Sequence, residues 1–150
     1  MKLSFLLSSA VIGLIFFARP ALSAEDAADC ADHPLFSRMP DYYISDCESK
    51  DADSYDFQVD EDSTVKVEGK YFNINYAIND GAKPFGGATV MHNYTNVMKI
   101  SGWTVVYNNE EAYEQTARMI KGGKETWAAV GTDPRGEAYW IVVIERPASR

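Results

Sequence analysis

Hydrophobic and polar positions alternate from Thr64 to Ile78, TVKVEGKYFNINYAI, the longest such run in the chain. It is rich in β-branched and aromatic residues, which suits a half-buried strand. Val65 and Val67 share one face, whereas Phe72, Ile74, Tyr76 and Ile78 have the opposite parity. A strand changes parity only by an extra residue. This reading therefore places a β-bulge or sharp bend at Gly69, where the switch would fall.

The segment Asn79 to Gly87, NDGAKPFGG, is a loop by its turn residues. The period then changes. Val90, Met91, Tyr94, Val97 and Met98 fall on one face of a helix predicted over Ala88 to Ser101, with His92, Asn93, Asn96 and Lys99 opposite. Gly102 stands where a left-handed cap belongs. Trp103 to Tyr107 reads as a strand with Trp103, Val105 and Tyr107 on one side. Tyr113 to Ile120 and Glu125 to Val130 flank Lys121-Gly122-Gly123-Lys124, a hairpin signal. Ala138 to Glu145, AYWIVVIE, is apolar on both faces and belongs inside a sheet. The predicted order is β-α-β-β-β-β. The fold class is α+β, one antiparallel sheet of about five strands with a single helix on one face.

Ahead of this pattern, residues 25–62 are the least regular. Asp32-His33-Pro34 and Met39-Pro40-Asp41 are turns, and Leu35, Phe36, Tyr42, Tyr43 and Ile44 are apolar anchors. An extended segment pinned over the domain is expected. Asp46, Glu48, Asp51, Asp53, Asp56, Asp60, Glu61 and Asp62 then face only Lys50. Tyr55, Phe57 and Val59 alternate, so part of this run is read as an edge strand whose charges discourage pairing with another chain. The division is 1–24, 25–62 and 63–150, with 25–150 as one folding unit.

Residues 1–24 read as a secretory signal: Lys2, an apolar stretch from Leu3 to Phe17, and small residues up to Ala24. The apolar stretch is short of the ~20 residues a spanning helix needs, and no later segment is suited to crossing as a helix. Removing the signal takes away Lys2 and Arg19 and no acid, so the net charge goes from −8 to −10. Such a surface repels phosphate backbones, which argues against nucleic acid. Cys30 and Cys47 form an even pair in an exported chain, most simply a disulfide.

In order along the chain stand Asp32-His33-Pro34-Leu35-Phe36-Ser37-Arg38-Met39-Pro40, Tyr42-Tyr43-Ile44, Cys47-Glu48, Tyr55-Asp56-Phe57, Glu68-Gly69-Lys70, Asn93-Tyr94 and Gly122-Gly123-Lys124-Glu125-Thr126-Trp127. This series resembles the N-terminal module of some exported OmpA-family proteins of Gram-negative bacteria. The resemblance implies a periplasmic or outer-membrane-associated location. In those proteins the module precedes a peptidoglycan-binding domain. Here the chain ends near Pro147, so peptidoglycan binding does not transfer. The resemblance implies no catalytic or ligand residues.

Catalytic signals are sparse. There is no G-x-S-x-G, H-E-x-x-H or phosphate-binding glycine loop. His33 and His92 are the two histidines; a turn hydrogen bond is expected for the first and plain exposure for the second. Gly86-Gly87 before the helix is a weak anion site, with Lys83 its only nearby cation. Asp51, Asp53 and Asp62 match positions one, three and twelve of an EF-hand loop, but Tyr55 and Asp56 break the pattern, leaving a weak Ca²⁺ candidate. Arg38 is expected to tether its segment to an Asp or a backbone carbonyl. His33, Arg38, Tyr42 and Tyr43 are the candidate binding residues, and no cofactor is implied. The expectation is a non-enzymatic envelope protein contacting a protein partner. The alternatives are a small periplasmic hydrolase with His33 as base, or an inhibitor of an envelope enzyme inserting its Cys30–Cys47 loop.

Overall fold

A computed structural model describes residues 23–148. The secretory-signal segment, apart from Ser23 and Ala24, lies outside the described residues. The elements run β1 (Tyr42–Gln58), β2 (Thr64–Ile78), α1 (Gly87–Ile100), β3 (Thr104–Asn109), β4 (Glu114–Lys121), β5 (Lys124–Thr132) and β6 (Ala138–Pro147). The strands form one antiparallel sheet in the order β1-β2-β6-β5-β4-β3. The single sheet and single helix agree with the α+β expectation. The strand count does not: there are six among the described residues, because the edge strand expected over only part of the acidic run extends over Tyr42–Gln58 as β1, 17 residues long, while residues 23–41 lie over the sheet as expected.

Local chemistry explains the elements that match. Gly122 and Gly123 both have positive φ, 60° and 74°, which a two-residue type I′ hairpin demands. Lys121 consequently pairs with Lys124. Gly102 has φ 85°, and the Trp103 N–H returns to the Met98 carbonyl at 3.0 Å, closing α1. β6 lies between β2 and β5, buried on both faces as its unbroken apolar run requires.

Both faces of the sheet are dry. On the first, α1 places Val90, Met91, Tyr94 and Met98 against Ile74, Tyr76, Ala128, Val130, Tyr139, Ile141 and Val143. On the second, Phe57, Val67, Tyr71, Trp127, Ala129, Val142 and Ile144 form a separate cluster. Among the described residues no helix covers that second face. The distal half of the β1–β2 hairpin curls over it instead, so that β1 approaches β4 and β5, which are not its neighbours in the sheet. Phe57 meets Trp127 with ring centroids 5.5 Å apart.

This arrangement corrects the bulge reading at Gly69 but not the bend, since β2 pairs with β6 only from Lys70 onward. The strand contains no inserted residue at Gly69. Val67 and Tyr71 serve the second cluster, and Ile74, Tyr76 and their parity mates serve the first. Two apolar sets of opposite parity are what a strand buried on both faces should show. Gly69 is needed for close approach: a Cβ there would collide with the Glu145 carbonyl of β6.

The extra residues lie in β1. Ile44 pairs with Tyr76 but Asp46 with Asn75, so Ser45 is a bulge. Lys50 pairs with Tyr71 but Asp53 with Gly69, a second one-residue excess. Each excess reverses parity. The first turns Cys47 and Ser49 onto the helix-bearing face with Ile44. The second turns Tyr55 and Phe57 onto the opposite one. A third irregularity, between Val105 and Tyr107 of β3, corrects another expectation. Trp103 precedes the strand, and Val105 and Tyr107 lie on opposite faces.

Candidate functional site

Of the residues singled out in sequence, Cys30, His33 and Arg38 lie on an arm, residues 23–41, on the helix-bearing face. Its apolar anchors are Phe36 and Met39, both buried. Phe36 meets the Trp103 ring at 5.4 Å and that of Tyr94 at 6.4 Å. The Cys30–Cys47 disulfide, with Cα atoms 5.8 Å apart, ties the arm to β1. The Ala27 N–H donates to the Ile44 carbonyl at 2.8 Å, which covers part of the β1 edge.

Four tyrosines from four elements form the seat. Tyr139 of β6 is central, with centroids 4.4 Å from Tyr76, 5.0 Å from Tyr42 and 5.4 Å from Tyr94. Their hydroxyls contact the arm at successive points. Tyr76 donates to Asp32 Oδ1 at 2.9 Å, Tyr94 donates to the Ser37 carbonyl at 3.1 Å, and the Met39 N–H donates to Tyr139 at 3.0 Å. The Tyr42 hydroxyl instead donates to the Gly136 carbonyl in the β5–β6 turn. Burial pushes the Tyr139 phenol up to about 12 and raises Tyr76 and Tyr94 further, so all three remain protonated at neutral pH.

Arg38 is the electrostatic centre of the arm. Its guanidinium is bidentate to Asp26, with Nη1 and Nη2 each 2.7 Å from a carboxylate oxygen. Its Nε reaches Asp32 at 3.0 Å and 3.1 Å. Asp26 Oδ1 also accepts the Ile44 N–H at 2.8 Å. The Arg38 hydrogen bond holds the Asp26 carboxyl below its ordinary range, against a smaller opposing effect of burial. Arg38 is the tether its sequence context suggested.

His33 is buried, with only 3% of its surface exposed. Its Nδ1 accepts the Leu35 N–H at 3.3 Å, and its Nε2 faces Glu145 Oε1 at 3.4 Å. Its ring meets Phe72 edge-on at 4.7 Å. With Nδ1 accepting, Nε2 carries the proton and directs it at Glu145, so neither nitrogen offers a free lone pair. Burial lowers the His33 pKa, partly countered by Glu145. His33 shares a cleft of about 220 Å³ with Asp29, Asp32, Glu48 and Ser49. No hydrogen bond among the described residues links it to that serine or to either aspartate. Phe72 and Ile74 add apolar surface to the cleft beside the carboxylates.

Several sequence candidates do not meet. Tyr42 and Tyr43 are consecutive in a strand and point to opposite faces, so they do not form one site. Asp53 is engaged by Lys50 Nζ at 2.8 Å, while Asp62 sits in the β1–β2 turn. Among the described residues no group of three or more His, Cys, Asp or Glu side chains could hold a metal ion, so Asp51, Asp53 and Asp62 are not brought together. His92 is exposed on α1. Among the described residues no helix is long and apolar enough to cross a membrane.

Sequence reasoning missed one buried charge, Glu125, 1% exposed on the second face. Burial pushes its carboxyl up. Hydrogen bonds from Arg146 (Nε at 2.7 Å), Trp127 (Nε1 at 3.1 Å) and Arg118 outweigh that and leave it lowered overall. A lone acid inside an otherwise uncharged run, ETWAAV, was the available signal. Trp127 is its neighbour along β5, but the two arginines lie on β4 and β6 and were not readable. The chain matches no family model and no curated protein.

Proposed function

We propose that this chain is a non-enzymatic module of the Gram-negative cell envelope, periplasmic or associated with the outer membrane, that acts by contact with another envelope protein. The observation that carries the reading is how the arm is held. A disulfide, the Ile44 N–H on Asp26 and three tyrosine hydroxyls fix it on the domain, and an arginine paired with Asp26 and Asp32 braces it internally, while Leu35 at its turn stays 38% exposed. A loop fixed at so many points loses little further entropy when a partner docks, which favours recognition over turnover. The secretory signal and the resemblance to the OmpA-family module support the location. Peptidoglycan binding is not part of the proposal.

The hydrolase reading loses support because both nitrogens of His33 are engaged within the arm. The experiment is site-specific photocrosslinking from position 35 in intact cells. One envelope protein should be captured by the wild-type arm and lost when Cys30→Ser and Cys47→Ser release it. Recovery of uncrosslinked monomer alone would sink the proposal.

A further inference from the structure

A second depression lies away from the arm, between α1 and the β3–β4 turn. It encloses about 330 Å³, the low end of the range for small-ligand sites. Its floor is apolar, from Met91 and the ring of Tyr113. One wall is helical and carries Asn96 and Lys99. The other is the turn and carries Asn108 and Glu110. Lys99 and Glu110 form no ion pair with each other or with any other described residue. Two opposite charges, both solvent-exposed and without a protein ion-pair partner among the described residues, therefore border one depression from opposite sides.

The floor shows a departure from local preference. Tyr113 has φ 52°, a left-handed conformation that glycine or asparagine adopts more cheaply. The tyrosine is held there. The Thr132 N–H donates to its carbonyl at 3.1 Å, and its ring lies so close to the first residue of α1 that a Cβ on Gly87 would stand 2.9 Å from it. The same Cβ would stand 2.6 Å from the Asp133 carbonyl, so backbone and ring together crowd Gly87.

We infer that this cleft binds a free α-amino acid with an apolar side chain. Lys99 receives the carboxylate, Glu110 receives the ammonium, and the Asn96 and Asn108 amides supply the remaining hydrogen bonds. Met91 and Tyr113 receive the side chain. An anionic or cationic ligand would satisfy one wall and be repelled by the other, whereas a zwitterion satisfies both.

The test is amide correlation NMR of the exported chain, titrated with L-leucine, L-methionine and L-phenylalanine. 4-Methylpentanoate and 3-methylbutylamine serve as half-ligands lacking one charge. At least one amino acid should give saturable shifts confined to residues 91–99 and 108–113, and each half-ligand should bind at least about ten-fold more weakly. Lys99→Gln and Glu110→Gln should each weaken binding by a similar factor while leaving the amides of β5 and β6 in place. The inference is overturned if no amino acid gives saturable shifts by about 10 mM, or if the shifts survive both substitutions unchanged.

Discussion

At the residue scale, His33 joins the arm to the sheet and makes the joint sensitive to pH. Its folded pKa lies below the ordinary 6.5 because burial disfavours the imidazolium. The unfolded chain therefore binds its proton first as pH falls. Stability from this group is complete above 6.5 and declines as pH drops through that value towards the lower folded pKa. Burial raises the Glu114 carboxyl above 4.5, which has the opposite sign and must be separated out. His33→Asn does so, since an Asn Oδ1 can still accept the Leu35 N–H but does not titrate. The wild-type melting temperature should fall between pH 6.5 and pH 5, His33→Asn should lack that component, and His92→Asn should retain it. Equal slopes in wild type and His33→Asn would refute the assignment. The arginine was readable at this scale because a lone cation among acids in a turn-rich segment has few other uses. The tyrosine hydroxyls were not, because Tyr76, Tyr94 and Tyr139 sit at ordinary core positions and their partners are up to 100 residues away.

At the scale of elements, local periodicity located β2, α1, the Gly122-Gly123 hairpin and the central strand β6. It fell short for β1, where two excess residues break the alternation into three short phases, of which only the last, around Tyr55 and Phe57, read as part of an edge strand. It also misjudged β2, because two opposite parities look the same whether a bulge separates them or both faces are buried. Pairing with β1 and β6 decides between these, and pairing is not a local property. The Ser45 bulge yields a direct prediction. Deleting that residue should carry Cys47 to the opposite face, away from Cys30, without removing either sulfur. The exported variant should then present two thiols to a thiol-specific reagent where the wild type presents none. A bridged deletion variant would show that the bulge does not set the facing of Cys47.

At the scale of the whole molecule, one covalent link and a set of polar contacts fasten an arm onto a sheet that curls over to bury its second face. The bridge spans 17 positions, and a loop of that size contributes roughly 3 kcal/mol in the chain-entropy model. Cys30→Ser with Cys47→Ser should lower the unfolding free energy by about that amount in denaturant titrations. Reductant should reproduce the loss in the wild type and have no effect on the double variant. The seat of the arm also has a consequence for biogenesis. Cys30 and Cys47 both precede Tyr139, on which Met39 rests, by most of the domain, and so leave the ribosome well before it. The sulfurs can thus join long before the surface meant to receive the arm exists, and a nascent chain halted short of β6 would be oxidised yet unfinished, its leading end still open to proteases.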